Sequence, residues 1–325
     1  MIFLTGATGF VGSHLADSLA ERGFSLHCLV RSNSRLDYLP EGALTVNGDI
    51  ADPAVAAIGL AGIRVFIHCA SIINAPDGRD STLLKANLAG TDNVLRWLGE
   101  QGKDLQQVVY VSSVGAMGTL TRWPVDEAYQ GKLLNAYQHS KRVSEERFKD
   151  FCARRGLKLV IVRPSWVYGP RDRRVLAFIR AIHKGRFAII GSGKTSIHPV
   201  YVKDLVSGIV QSLDYQGREH TFILAGPKTY PLQEVVQVIA ALLERRVPGV
   251  HLPYRPMYAA AWLCEMLCKP LGIKPFIFRR RLDFFSQNQA FSIQRARREF
   301  GYQPACDLRQ GMAQTIGWYK QAGWL

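Results

Sequence analysis

Thr5-Gly6-Ala7-Thr8-Gly9-Phe10-Val11-Gly12 follows directly on the apolar run Ile2-Phe3-Leu4 and leads into apolar residues at helical spacing from Val11 to Arg22. Each glycine has a physical purpose. Gly6 permits a tight turn, Gly9 lets backbone approach a pyrophosphate with no side chain between, and Gly12 allows the helix to pack closely on the strand. The helix N-terminus then points amide N–H groups and the positive end of its dipole at the phosphates. Glycine turns are common, but one set between a first strand and a helix has the context a dinucleotide loop requires.

Outward from this loop, short apolar runs at Ser25 to Val30, Val65 to His68, Val108 to Val111 and Leu159 to Val162 read as buried strands. Helix-period stretches at Ser81 to Glu100 and Tyr137 to Arg155 alternate with them. That succession predicts an α/β chain, a Rossmann-type doubly wound parallel sheet whose ligand crevice lies beyond the carboxyl ends of its strands. From about Trp166 the regularity loosens into glycine- and proline-bearing loops, with helical patterns at Leu232 to Leu243, Met257 to Leu267 and Leu308 to Tyr319. The expected division is a nucleotide-binding domain over 1–165, rejoined by 197–225. A smaller, mostly helical substrate lobe takes 166–196 and 226–325.

Composition narrows the classes. With 325 residues, 47% hydrophobic and 21% charged, the chain can bury a large core and is not of disordered composition. Lysine and arginine outnumber acidic residues 41 to 26, a formal charge of +15, so the surface attracts anions. The basic residues are dispersed and no nucleic-acid motif accompanies them, which argues for a nucleotide or a membrane surface over DNA or RNA. Six cysteines form neither a disulfide framework nor a paired zinc pattern. A reducing, cytoplasmic setting is expected, since the sequence starts without a charged leader or signal core and holds no apolar run of membrane-spanning length. Cys264 and Cys268 share one helix face and are expected to be small core residues.

The second strand ends at Val30, followed by Arg31-Ser32. An NAD site usually places a carboxylate there for the ribose hydroxyls; a guanidinium and a hydroxyl suit a 2′-phosphate instead. NADP is therefore the expected cofactor, with NAD the alternative.

Tyr137-Gln138-His139-Ser140-Lys141 sets a phenol and an ammonium one helical turn apart on the same face. A free phenol, with pKa about 10, is a poor acid or base near neutrality, and a fixed cation beside it favours the phenolate. Ser113, just after the strand Val108 to Val111, supplies a hydroxyl for a substrate oxygen on which charge develops. Ser113, Tyr137 and Lys141 are the candidate catalytic residues, with Tyr137 as acid/base.

Together these stretches resemble the extended short-chain dehydrogenase/reductases, the NAD-dependent epimerase/dehydratase family, including its 3β-hydroxysteroid dehydrogenase and dihydroflavonol reductase branches. Further matching stretches are Gly48-Asp49-Ile50, His68-Cys69-Ala70-Ser71, Asn87-Leu88-Ala89-Gly90-Thr91, Arg163-Pro164-Ser165-Trp166-Val167-Tyr168-Gly169-Pro170 and His198-Pro199-Val200-Tyr201-Val202-Lys203-Asp204. The resemblance implies that Asp49 and Ile50 contact adenine and that Ala70 and Ser71 line the cofactor path. It further implies that Asn87 supports the nicotinamide side, that Pro164 and Val167 flank the nicotinamide, and that the chain is a homodimer. Thr8, Phe10 and Val11 join the glycines as loop residues.

Sugar-nucleotide epimerases of this family generally carry asparagine where Trp166 stands, and arginine where Ile197 stands. Apolar groups there leave a sugar nucleotide's polar groups poorly paired. An apolar alcohol or ketone, steroid- or terpenoid-like, is the expected substrate, and a sugar-nucleotide epimerase or dehydratase is the alternative. Arg171, Arg173 and Arg174 stand against this as a possible anion site, or else form a solvated basic turn. A cofactor-binding sensor or scaffold is a different class, which has no need of the Ser-Tyr-Lys set. Finally, Tyr254 to Phe285 mixes aromatic and aliphatic residues with Arg279-Arg280-Arg281: either a peripheral membrane contact over the pocket, or a core-facing helix with a solvated basic end.

Overall fold

A computed structural model describes residues 1–325 except 74, 76–78, 218, 248, 269–275 and 278. Seven strands form one parallel sheet: β1 (Ile2–Thr5), β2 (Leu26–Val30), β3 (Leu44–Asn47), β4 (Val65–His68), β5 (Gln107–Val111), β6 (Lys158–Pro164) and β7 (Glu219–Leu224). Their spatial order is β7-β6-β5-β4-β1-β2-β3. The chain runs outward from β1 through β2 to β3, then returns to lay β4 on the other side of β1. This reversal opens a crevice at the carboxyl ends of β1 and β4, the switch point where such sheets bind ligands.

Helices cover both faces, so β1 and β5 are buried throughout, as near-continuous apolar runs require. The edge strand β3 differs: Leu44 is 59% exposed, and its pattern lacks the apolar run that marks the central strands. At the ends of β1 and β4, Thr5 Oγ1 lies 2.8 Å from His68 Nδ1. His68 is buried and its pKa is lowered to about 3, chiefly by burial and then by the Lys141 charge, so it is a neutral tie between strands.

Helix α1 (Phe10–Glu21) follows the first loop, α2 (Asp80–Gln101) joins β4 to β5, and α3 (Ala136–Arg155) precedes β6. On α2 the buried residues Leu83, Gly90, Val94, Trp97 and Leu98 recur at helical spacing. Asn135 caps α3 by accepting from Gln138 N at 3.0 Å, and Gly156, at φ +66°, closes it in the left-handed conformation.

Beyond β6 the helices α4 (Arg173–His183), α5 (Val202–Gln211), α6 (Leu232–Leu242) and α7 (Tyr254–Cys268) follow, and near the end Leu308–Gln321 is helical. Ile179 and Ile182 of α4, Val236 and Ile239 of α6, and Met312 and Ile316 of the last helix share one core with β1 and β6. Ile197 is fully buried in that core. It is a packing residue and does not line the cleft, so the absence of an arginine at this position reflects the core and carries no information about the substrate.

Candidate active site

The loop after β1 is held by backbone contact, and this leaves Gly6 and Gly12 no substitute. Gly6 has φ +77°, and a Cβ there would lie 2.7 Å from Ala70 N. A Cβ on Gly12 would lie 2.0 Å from Gly6 O. Gly9 is the N-cap of α1 and no side chain caps the helix, so the first-turn amides are left for a ligand. The loop therefore has the form that a dinucleotide's phosphates require.

A cleft of about 440 Å³ extends from this loop across the strand ends. Gly6, Gly9, Phe10, Val11 and Gly12 line it together with Ser71, Ser113, Tyr137, Lys141, Pro164 and Val167. Ile50, Ala70 and Asn87 line a smaller cavity behind Lys141, which Ser71 and Lys141 also border. Asn87 spans that space: its Nδ2 donates to Ile72 O at 3.0 Å and to Ser140 Oγ at 3.1 Å, while its Oδ1 accepts from Ile72 N at 3.0 Å. Thr8, Arg31 and Asp49 do not border the cleft; the Arg31 side chain is exposed at the end of β2, and Asp49 Oδ1 accepts from Ala51 N at 2.9 Å.

Ser113 and Tyr137 come together around Gly115. A Cβ on Gly115 would sit 3.3 Å from Ser113 Oγ and 3.4 Å from Tyr137 Cε1, so glycine allows the two side chains to share this corner. Ser113 Oγ accepts from Gly115 N at 3.0 Å, which fixes its rotamer. One turn into α3 from Tyr137, Lys141 Nζ donates to Val111 O at 3.1 Å and lies 5.9 Å from the centre of the Tyr137 ring.

Burial pushes the Lys141 pKa down to about 8, opposed by the negative charges of Cys69 and Glu145. Burial also raises Cys69 to about 11, so at pH 8 it is a neutral thiol, leaving Glu145 as the effective counter-charge. The folded protein holds the Lys141 proton less tightly than the unfolded chain. The cost of burying this cation is thus fully present below pH 8 and fades as pH rises from about 8 to 10.5.

Glu145 is the hub of a buried network that sequence reading missed. Its Oε1 accepts from Ser112 Oγ at 2.5 Å and Arg163 Nε at 3.0 Å, and its Oε2 accepts from the other arm of Arg163 at 2.6 Å. Arg163 also donates to Glu127 O at 2.9 Å, and Glu127 Oε1 accepts from Ile223 N at 3.0 Å. The ends of β5, β6 and β7 are thereby tied to α3. The clue was available: Glu145 stands four residues after Lys141, on the same face. Glu145→Gln leaves the Arg163 guanidinium, only 11% exposed, without its anion. The expected result is a loss of about 3 kcal/mol in denaturant unfolding; an unchanged midpoint would show that the network is energetically neutral.

The arginines after Gly169-Pro170 divide. Arg171 donates to Asp17 at 2.9 Å and covers the Tyr38 ring, and Arg173 lies over Trp324. Arg174 borders the cleft, with its Nε 3.3 Å from the Asp172 carboxylate. Trp166 also borders the cleft, packed against Phe178 and Phe284. Leu120, Ser165, Gln287, Asn288, Gln289 and Phe291 also line it; the last four arrive from far along the chain with no local signal.

Residues 2–225 match the NAD dependent epimerase/dehydratase family. The chain belongs to that family. It is thus an NAD(P)-dependent enzyme of the extended short-chain dehydrogenase/reductase type. Among its relatives is the 3-beta-hydroxysteroid dehydrogenase of Mycolicibacterium neoaurum, 26% identical over 337 residues that cover 98% of this chain and 91% of that protein. The UDP-glucose 4-epimerase of Vibrio cholerae is also 26% identical, over 333 residues covering 99% and 96%. The crystal structure of gox2253 superposes with a TM-score of 0.83 at 28% identity, covering 100% of this chain and 99% of that one. Family members of equal similarity thus bear steroid and sugar-nucleotide names, so kinship leaves the substrate open.

Proposed function

We propose that the protein interconverts a secondary alcohol and a ketone on an apolar substrate, with Ser113, Tyr137 and Lys141 as its catalytic residues. The observation that carries this reading is the cleft wall, where Leu120, Trp166, Val167 and Phe291 stand beside Ser113 and Tyr137. Two of the polar groups on that wall are engaged elsewhere: Asn288 Oδ1 accepts from Ser196 N at 2.8 Å, and Arg174 pairs with Asp172. These two groups therefore make no demand on a substrate, and the polar side chains left on the wall are Ser165, Gln287 and Gln289, which stand beside its apolar part. The segments 166–196 and 226–325 supply much of this wall and act as the substrate lobe.

In this reading Ser113 Oγ donates to the substrate oxygen, and Tyr137 Oη holds the proton that moves to or from it. The nicotinamide, when bound, supplies or takes the hydride. Lys141 keeps a positive charge beside the phenol, favouring its anionic form. Activity is accordingly expected to fall as pH rises through about 8, where Lys141 loses its proton. Glu145→Gln removes the anion that opposes this loss, so the alkaline limb of the rate profile moves to lower pH; a limb that stays in place would disconnect Glu145 from Lys141.

In this reading NADP is the preferred cofactor, because a guanidinium directly after β2, exposed though outside the cleft lining, suits a 2′-phosphate better than a carboxylate would. Arg31→Ala is expected to raise KM for NADPH by about tenfold and to spare NADH. Equal effects on both cofactors would remove the preference.

The test of substrate class is reduced-nicotinamide absorbance across panels of sterols, other apolar ketones and nucleotide sugars. Net turnover with an apolar ketone or alcohol is expected. Conversion of a nucleotide sugar without net cofactor change would instead establish the epimerase reading, which the cleft position of Arg174 favours.

A further inference from the structure

The outward face of α7 is apolar, the reverse of what a solvent-facing helix normally carries. Tyr258, Trp262, Leu263, Met266 and Leu267 are 38%, 49%, 46%, 48% and 59% exposed, and they lie within about half of the helix circumference. The other side is occupied. Ala261 is fully buried and, with Met257, packs on Ile190, Leu282 and Phe285. Glu265 is paired with Arg279 at 2.9 Å, so the one acid of the helix is neutralised on the inner side. Arg255 is the remaining charge of α7, and it is exposed.

Sequence around the helix is strongly basic. Residues 245–281 contain eight lysines and arginines and a single acidic residue, Glu265. Arg245 and Arg246, just upstream, are exposed, as is Phe276 at 85%. Lys269, Lys274 and the side chains of Arg280 and Arg281 lie outside the described residues.

Aromatic and aliphatic groups on a helix that carries an exposed arginine, Arg255, within a basic stretch of chain have the chemistry of a lipid interface: tryptophan and tyrosine settle at headgroup depth, aliphatics enter the acyl boundary, and arginines meet anionic phosphates. A second copy fits poorly, because a twofold contact sets this basic patch against itself. The underside of α7 also continues inward. Phe285, which packs on the same small cluster as Met257, neighbours Phe284 with ring centres 5.6 Å apart, and the Phe284 ring centre lies 6.0 Å from that of Trp166 at the cleft.

From these features we infer that the outward face of α7 seats the protein on an anionic lipid surface. Among the described residues no helix is long and apolar enough to cross a membrane, and the contact proposed is peripheral. It stands apart from the substrate reading, since it requires no turnover.

Flotation of the full chain with vesicles tests it. Phosphatidylcholine vesicles containing roughly one third phosphatidylglycerol are expected to carry the protein at low salt, and phosphatidylcholine alone to carry little of it. The double variant Trp262→Ser, Leu267→Ser is expected to bind anionic vesicles at least about tenfold more weakly. Its melting temperature and cofactor affinity should stay those of the unaltered protein, because both side chains are on the surface. Absence of flotation, or flotation indifferent to these substitutions, overturns the proposal. So does a concentration-dependent dimer that the same substitutions dissociate, which would make a second copy the occupant.

Discussion

Replacing Tyr137 by phenylalanine is expected to lower kcat by about a thousandfold while leaving cofactor affinity nearly unchanged. The variant removes one oxygen from a half-buried ring whose edge packs near Gly115, so the fold has little reason to change. Under the proposed mechanism it loses the proton held beside the substrate oxygen. Lys141 remains on the Val111 carbonyl, keeping its position in the cleft. The measurement is single-turnover hydride transfer on the substrate that the panel identifies, paired with cofactor titration by fluorescence. A rate within about tenfold of the unaltered enzyme would show that the proton comes from elsewhere and would sink the assignment.

An equally large effect is expected from Gly12→Ala, through a different physical route. The added methyl would be placed 2.0 Å from Gly6 O and 2.7 Å from Gly6 C, both main-chain atoms that cannot swing away as a side chain could. Either the loop or the start of α1 must shift, and the shift moves the amides that would meet the phosphates. Cofactor affinity is expected to fall by at least about a hundredfold and stability by about 2 kcal/mol. Gly9→Ala offers an internal comparison, since its methyl would lie 3.2 Å from Gly6 O and requires a smaller adjustment. Isothermal titration with NADP and NAD, together with thermal unfolding of the unliganded protein, reads both effects. Full affinity in Gly12→Ala would mean that the cofactor does not use this loop.

These two residues also mark what a reader of the chain could see. The glycine loop, β1, β4 and the Tyr137-to-Lys141 spacing are local features: a buried strand is a short apolar run, and a turn of helix is four residues. β3 escaped because an edge strand with one partner need not be apolar, and Leu44–Asn47 is largely exposed. α3 was harder than its length implies. Its inward face carries Gln138, Ser140, Lys141, Ser144 and Glu145, polar groups buried for the sake of the site, which blurs the apolar stripe. The helix was legible through its apolar spacing over Tyr137 to Arg155, and the one-turn pairing of Tyr137 with Lys141 gave it a chemical purpose.

The substrate wall was not legible in the same way. Trp166 and Ile197 looked alike as apolar departures from the sugar-nucleotide pattern. Yet Trp166 borders the cleft and Ile197 is sealed in the core. The three arginines 171, 173 and 174 form one run in the chain, but two are held by Asp17, Tyr38 and Trp324 while the third borders the cleft.

By itself the chain order of residues determined the strand–loop–helix unit, the family and the one-turn pairing of phenol with amine, because each depends on contacts within a few residues. Packing alone decided which distant groups meet. Glu145 neutralising Arg163 beneath Ser112, Phe291 joining Trp166 across the cleft, and an apolar face left outward on α7 all depend on how helices settle on a sheet. Those contacts are set by surface burial summed over the whole molecule, and no short window of sequence contains that sum.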